Sequence, residues 1–194
     1  MSRPNLHVAL IHHPVVSKNG ETIASAVTNL DLHDIARTSK TYGVRSFYVV
    51  TPLKDQKELV DKIVAHWVSG AGGSYNPHRR EALLLIRVKA SYADVLADIR
   101  KTENAEPVTV ATSAKARQSA LSFKSFKALL GRETPIVLAL GTAWGLAEPF
   151  IEGSDYILEP IKGGTAYNHL PVRSAAAIIL DRVLGRKEIV VGSR

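Results

Sequence analysis

Residues 135–185 read PIVLALGTAWGLAEPFIEGSDYILEPIKGGTAYNHLPVRSAAAIILDRVLG, and they carry the clearest loop and helix signals of the chain. The pattern predicts a strand, a glycine turn, a short strand, a tight irregular loop and an amphipathic helix. Two loops, 141–145 and 159–170, follow apolar strands and leave backbone N–H and C=O groups outside regular structure. Because ligands bind at the carboxyl ends of strands in open α/β sheets, we predict a cofactor site in this segment.

Strand and helix patterns alternate along the rest of the chain. Apolar runs rich in β-branched residues predict strands at 6–11, 46–50, 83–88 and 107–111. Amphipathic spacing predicts helices at 28–43, 55–69, 92–101, 123–131 and 171–185. This alternation predicts an α/β fold with a mainly parallel sheet, helices on both faces, and a single domain over residues 1–194.

The segment 70–80, GAGGSYNPHRR, is the longest stretch rich in glycine and polar residues, and it predicts a flexible loop. Its His78, Arg79 and Arg80 make it a candidate clamp for a polyanion such as RNA. Other cations that would extend a basic track are Lys115, Arg117, Lys124 and Lys127. For any single surface lysine, solvation is the simpler interpretation.

Composition narrows the class of protein. The chain has no cysteine, which excludes disulfides and thiolate metal sites and fits a reducing, cytoplasmic location. We predict neither a signal peptide nor a membrane span, because no apolar run approaches the roughly 20 residues that a span needs. The net charge of +7 favours a polyanionic partner, RNA or DNA, although ordinary solubilising charge would also produce it.

Common catalytic motifs are absent from the sequence. The lack of GxxxxGK[ST], GxGxxG and GxSxG argues against nucleoside-triphosphate enzymes, dinucleotide oxidoreductases and acyl transfer, and it disfavours a flavodoxin-like metabolic enzyme. His12, His13 and His33 lack an HExxH pattern or a carboxylate cluster, so we interpret them as loop or core histidines and predict no metal. Asp34 and Arg37 have i,i+3 spacing, which predicts either a solvated ion pair or an arginine aimed at a phosphate or a substrate base.

Within residues 135–185, the sequence LALGTAWGLAEPF…DYILEPIKGGTAYNHLPVRSAAAIIL resembles the knotted core of SPOUT-class RNA methyltransferases. The segment HDIARTSKTYGV at 33–44 resembles the first motif of the ribose-methylating members, with Arg37 at the arginine and Asp31 where those members have asparagine. With HWVSGAGGSYNP and ATSAK, the resemblance extends over nearly the whole chain. It points to a subfamily of RNA methyltransferases also found fused to bacterial tRNA (guanine) methyltransferase.

This resemblance implies a C-terminal trefoil knot, S-adenosylmethionine (SAM) bound by the knot loops, and a homodimer with the last helix in its interface. An apolar slot that offers backbone donors and acceptors would suit a neutral adenine. The residues expected to bind the cofactor are Thr112, Leu140, Gly141, Gly145, Leu158, Pro160, Ile161, Gly163, Tyr167, Asn168 and Leu170.

The predicted activity is SAM-dependent methylation of RNA, either tRNA or rRNA. The expected catalytic residues are Arg37, Asn168 and Arg173. Arg37 would lower the pKa of the target or hold its phosphate, and Asn168 would fix the knot loop and touch the methionine part of the cofactor. Arg173 and Tyr167 would complete the substrate side. The departure at Asp31 and the lack of an obvious general base leave an alternative, a catalytically silent knotted protein that binds RNA or assists assembly.

Overall fold

A computed structural model describes residues 4–186. The strands are β1 (Leu6–Ile11), β2 (Val15–Val16), β3 (Thr22–Ile23), β4 (Ser46–Val50), β5 (Ile86–Lys89), β6 (Val108–Thr112), β7 (Ile136–Gly141) and β8 (Tyr156–Leu158). Six of them form a parallel sheet in the order β5-β4-β1-β7-β6-β8, and β2 and β3 form a separate antiparallel hairpin. The predicted parallel α/β fold is therefore confirmed.

The helices cover both faces of this sheet. They are α1 (Asn29–Thr41), α2 (Lys54–Val68), α3 (Ala71–Tyr75), α4 (Pro77–Leu83), α5 (Tyr92–Glu103), α6 (Phe123–Leu129), α7 (Glu148–Glu152) and α8 (Val172–Leu184). Strand β1 shows why both faces need cover, since all six of its residues are buried. Leu6, Val8 and Leu10 join the core under α1, α2, α4, α6 and α8. Ala9 and Ile11 face the opposite core, under α5 and α7.

The prediction of a flexible loop at 70–80 is wrong, because α3 and α4 occupy that segment. Its glycines allow close packing rather than mobility: a Cβ on Gly73 would lie 2.6 Å from the carbonyl oxygen of Trp67. Asn76 caps α4 by accepting a hydrogen bond from the Arg79 N–H at 3.0 Å. The predicted strand at 83–88 is also shifted, since Leu83 ends α4 and the strand begins at Ile86.

Two cations of the proposed clamp, Arg79 and Arg80 on α4, contact residues of α2. The Arg79 guanidinium lies 4.5 Å from the centre of the Trp67 ring, and Arg80 Nε donates to the Val68 carbonyl at 2.9 Å. Both side chains therefore have structural partners. An RNA-binding role for this segment stays a prediction.

Helix α8 positions the last part of the site. Its buried stripe is Ala176, Ile179, Leu180 and Val183. The Tyr42 hydroxyl donates to Asp181 Oδ1 at 2.8 Å, which joins the carboxyl ends of α1 and α8. At their amino ends, Arg173 of α8 lies 3.6 Å from Asp31 of α1. The trefoil knot stays a prediction from the resemblance.

Among residues 4–186, no helix has the length and apolar character needed to cross a membrane.

Candidate functional site

A cavity of about 800 Å³ opens where β6, β7 and β8 end. The last residues of these strands, Thr112, Gly141 and Leu158, all line it. Loops at 112–117, 141–149 and 158–173 complete the wall, and the β2–β3 hairpin contributes from the side. This is the sheet edge at which parallel α/β proteins bind ligands, because chain connections there leave loops around a crevice.

One part of the cavity wall is apolar and buried. Leu140 and Leu158 are each 1% exposed, and Ile161 is half-buried beside them. Within residues 4–186, the backbone N–H groups of Ile161 and Leu170 donate no hydrogen bond. Unpaired backbone donors next to an apolar surface fit a flat, neutral, hydrogen-bonding ring such as adenine.

The turn at 141–145 has a backbone that depends on its glycines. A Cβ on Gly141 would lie 2.6 Å from the Leu146 nitrogen, and Gly145 has a φ of +106°. Ala143 also has a positive φ, of 50°, which L-residues other than asparagine and aspartate rarely adopt. Trp144 N–H donates to the Val16 carbonyl at 3.1 Å, so the turn is fastened to the β2–β3 hairpin.

A second part of the wall is polar, and we call Ser25, Asp31, Thr142 and Arg173 the polar wall. Asp31 is 8% exposed and lies in the first turn of α1. The Thr28 hydroxyl donates to Asp31 Oδ2 at 2.7 Å and accepts from the Asp31 N–H at 3.1 Å. Asp31 Oδ1 faces Arg173 Nη1 at 3.6 Å, a distance for an ion pair rather than a short hydrogen bond.

Arg173 lies between two carboxylates. Its Nε is 3.5 Å from Asp34 Oδ2, and its side chain is about one-third exposed. Asp34 does not line the cavity, whereas Asp31 does. The two aspartates share one cation but differ in their access to the cavity.

A hydrogen-bonded chain connects Ser25 and Thr142 of the polar wall to His12, which lies behind the wall. His12 Nδ1 and Ser25 Oγ are 3.1 Å apart, Ser25 Oγ and Thr142 Oγ1 are 2.5 Å apart, and the Thr142 hydroxyl also lies 3.0 Å from the Ile11 carbonyl. Burial lowers the pKa of His12 to about 4, against the raising effect of the Asp31 charge. His12 is therefore neutral at pH 7 and supports the wall without adding charge.

The cavity loops are fastened to one another. Asn168 Nδ2 donates to the Ala114 carbonyl at 2.9 Å and so joins the 159–170 loop to the 112–118 loop. Arg117 makes two hydrogen bonds to Glu148, at 2.5 and 2.7 Å, and joins the second loop to α7. Asn168 therefore lies where a loop-fixing residue would lie.

The structure brings together most of the predicted cofactor residues. All of them line the cavity except Gly163 and Tyr167, which lie on the exposed part of the 159–170 loop. Of the predicted catalytic residues, Asn168 and Arg173 line it. Arg37 does not line the cavity and instead borders a separate shallow depression between α1 and α8, which Arg173 also borders. The roles assigned to these residues stay predictions.

Six residues that were not predicted by name also line the cavity: Ser25, Thr28, Asp31, Thr142, Trp144 and His169. The last three lie in the two loops predicted to form the cofactor site. Thr28 and Asp31 lie at the start of α1, and Asp31 was visible in the sequence as a departure from a motif. Their position beside the strand ends depends on how α1 packs, which no local pattern encodes. Among residues 4–186, no group of three or more His, Asp or Glu side chains lies together in a way that could hold a metal ion.

The fold is that of SPOUT methyltransferases. The SpoU methyltransferase AviRb from Streptomyces viridochromogenes, solved in complex with the cofactor AdoMet, matches with a TM-score of 0.55 and 16% identity, covering 94% of this chain and 61% of that one. At this identity the likeness concerns the fold alone. The chain itself belongs to the family described as SAM-dependent RNA methyltransferase, whose model matches residues 5–185. The predicted family is therefore confirmed.

Two relatives extend this comparison. A tRNA (guanine-N(1)-)-methyltransferase of Oleidesulfovibrio alaskensis is 45% identical over 181 residues, which are 93% of this chain and 42% of that protein. An uncharacterized protein of Aquifex aeolicus is 34% identical over 187 residues, which are 96% of this chain and 91% of that protein. The chain spans less than half the length of the first relative, whose activity therefore belongs to a protein with a large additional part.

Proposed function

We propose that this protein binds SAM in the cavity and transfers a methyl group to RNA, with tRNA as its substrate. The observation that carries the proposal is the cavity itself, an apolar slot with unpaired loop N–H groups at the ends of β6, β7 and β8. Membership of a SAM-dependent RNA methyltransferase family supports the reaction. The name of the first relative supports tRNA as the class of substrate.

The residues around the cavity fit this cofactor. Leu140, Leu158 and Ile161 would hold the adenine, and the backbone of the 159–170 loop would hydrogen-bond its edge. SAM supplies an electrophilic methyl group when bound. The protein's main contribution is then alignment, which the fastened loops support because Asn168 and Arg117 limit their movement.

Asp31 is the proton acceptor in this proposal. A target oxygen or nitrogen loses a proton when it is methylated, and Asp31 Oδ1 is an ionisable acceptor on the cavity wall. The Thr28 hydroxyl donates a hydrogen bond to Asp31 Oδ2. Asp31 Oδ1 lies 3.6 Å from Arg173, which leaves it free to accept a shorter hydrogen bond from the substrate. Arg173 keeps the carboxylate oriented, and the neutral His12 avoids a second cation beside it.

Calorimetry with SAM tests the cofactor site. We expect Ile161→Ala to weaken SAM binding about tenfold, because the side chain lines the apolar slot. Ile63→Ala is the matched control, since Ile63 is also half-buried but lies on α2, away from the cavity. Absence of heat at millimolar SAM in the unmodified protein would overturn the cofactor assignment.

Transfer of labelled methyl groups tests the reaction. The protein is incubated with labelled SAM and separately with bulk tRNA and bulk rRNA from a strain that lacks its gene. Incorporation into tRNA is expected, and mass spectrometry of the nucleosides then names the product. SAM binding without incorporation into either RNA would instead support the silent RNA-binding protein that the Asp31 departure suggested.

We also propose a homodimer through α8. The depression between α1 and α8 is bordered by Arg37, Tyr42, Arg173 and the small Ala177, so a second chain could approach α8 closely there. Sedimentation equilibrium should give twice the chain mass. Ala177→Arg is expected to yield monomers, whereas Ala65→Arg, on the exposed face of α2, should leave the dimer intact.

A further inference from the structure

Three aromatic side chains stand exposed at the mouth of the cavity, and we call Trp144, Tyr167 and His169 the aromatic rim. Trp144 is 63% exposed and Tyr167 is 75% exposed. The His169 ring centre lies 6.2 Å from that of Trp144 and 6.5 Å from that of Tyr167. Exposure of large aromatic side chains to water is energetically unfavourable, so a cluster of them beside a binding cavity indicates a contact surface.

The backbone that carries Trp144 is held firmly although its side chain is exposed. Trp144 N–H donates to the Val16 carbonyl at 3.1 Å, and Val16 N–H donates to the Gly145 carbonyl at 2.9 Å. Ala143, immediately before it, holds a φ of +50° that costs backbone energy. Strain of this kind persists where surrounding contacts impose it, and it clusters at functional sites.

The other half of the rim is fastened in a similar way. Tyr167 N–H donates to Thr165 Oγ1 at 3.3 Å, and Asn168 anchors the loop to Ala114. Tyr167 and His169 therefore flank an anchored residue. The rim presents aromatic faces whose backbones need little further ordering on binding.

The other tryptophan of the chain shows the contrast. Trp67 is half-buried, the Arg79 guanidinium covers its ring, and His33 and His66 pack edge-on at 5.5 and 5.1 Å. Trp67 therefore already has a cation over its ring and two aromatic neighbours within the fold. Trp144 is 63% exposed, and among the described residues the one ring or cation contact given for it is His169 at 6.2 Å.

Cations without ion pairs occur in the loops around the rim. Lys115 lines the cavity, Lys162 follows Ile161 in the next loop, and Lys18 lies in the β2–β3 turn. Within residues 4–186, none of the three forms an ion pair, whereas Arg117 is paired with Glu148. Exposed aromatic faces with nearby lysines match the two needs of a single-stranded nucleic acid, stacking for its bases and charge for its phosphates.

We propose that an unpaired nucleotide of the RNA substrate stacks on Trp144 at the aromatic rim, flanked by Tyr167 and His169. This inference rests on the proposed function and adds the form of RNA that the site takes. A base in a helix is covered on both faces by its neighbours, so only a loop, bulge or end nucleotide can stack on a side chain. The adenine of SAM is better matched by the buried slot around Leu140 and Leu158.

Tryptophan fluorescence provides a direct test without SAM. The chain has two tryptophans, so Trp67→Phe leaves Trp144 as the only reporter. Titration with bulk tRNA and with a single-stranded oligonucleotide should quench Trp144, while a blunt RNA duplex should quench it much less. In the unmodified background, Trp144→Ala should weaken binding of both unpaired RNAs about tenfold, and Trp144→Phe should largely restore it.

Three results would overturn the inference. Equal RNA affinity for Trp144→Ala and the unmodified protein would show that the base stacks elsewhere. Quenching of Trp144 by SAM alone would show that the rim contacts the cofactor. If neither RNA nor acrylamide quenches Trp144 in the dimer, the second subunit covers the rim. SAM calorimetry on the same variants separates these failures from failure of the proposed function, because SAM binding and methylation persist if only the rim assignment is wrong.

Discussion

The polar wall and the aromatic rim border the same cavity, yet they are built in opposite ways. In the polar wall, Asp31 is 8% exposed and is hydrogen-bonded to its cap residue, and Ser25 and Thr142 bond to each other. In the rim, Trp144 is 63% exposed and its ring centre lies 6.2 Å from that of His169. A partly buried, hydrogen-bonded wall suits a proton transfer that needs fixed geometry, whereas an exposed aromatic surface suits a large substrate that must enter and leave.

The largest expected effect is that of Asp31→Asn, which should lower the single-turnover rate of methyl transfer at least about 100-fold. The amide oxygen can still accept the Thr28 hydrogen bond but cannot take up a proton, so SAM affinity and melting temperature should stay unchanged. Asp34→Asn is the matched control because it removes the other carboxylate beside Arg173. Equal losses in both variants would mean that the aspartates only orient Arg173.

The second prediction concerns the support behind the polar wall. The pKa of buried His12 is about 4 in the folded protein, below the ordinary value of 6.5, so the unfolded chain binds more protons between these values. The free energy of unfolding should therefore fall as the pH drops through this window, by about 2 kcal/mol from His12 between pH 7 and pH 5.

Urea unfolding at pH 7, 6 and 5 measures this dependence. Buried His7, whose pKa burial also lowers to about 4, adds a contribution of the same sign. His12→Gln should flatten the curve, and His13→Gln should not, because His13 is exposed. If the pH dependence of the unfolding free energy is unchanged in His12→Gln, His12 is not a neutral buried support of the polar wall.

The third prediction has the smallest expected effect, and it distinguishes the aromatic rim from the polar wall by whether KM or kcat changes. Trp144→Ala should raise KM for RNA about tenfold and leave kcat nearly unchanged, because stacking holds the substrate before and during transfer. Combined with Asp31→Asn, the two effects should add within about 0.5 kcal/mol, as expected for sites without shared partners. Strong coupling, or a loss confined to kcat, would mean that wall and rim act as one unit.

Sequence reasoning recovered the regular parts of the fold because they depend on short-range patterns. Strand Leu6–Ile11 and helix α8 follow from apolar runs and helical spacing. The segment at 70–80 was misjudged because glycines signal turns locally, whereas Gly72 and Gly73 serve close packing against Trp67 and His66. That packing involves tertiary contacts, which a propensity does not contain.

The same distinction applies to the site. Motif resemblance predicted that the loops around Leu140 and Ile161 form the cofactor site, and it predicted the protein family. The family match agrees with the second prediction. The resemblance also directed attention to Arg37, which the structure puts in the depression between α1 and α8 instead of in the cavity. A motif keeps residue types in order along the chain, but it does not say which side of a helix faces which crevice.

The sequence by itself determined the alternation of strands and helices, the absence of thiol chemistry, and two irregular loops after apolar strands. Only the tertiary structure decided that Asp31 and Arg173, far apart in the chain, meet at 3.6 Å on one wall, and that Trp144 and His169 meet on its rim. The physical reason is range: periodicity and turn chemistry act over a few residues, whereas the site depends on α1 and α8 packing together beside the ends of three strands.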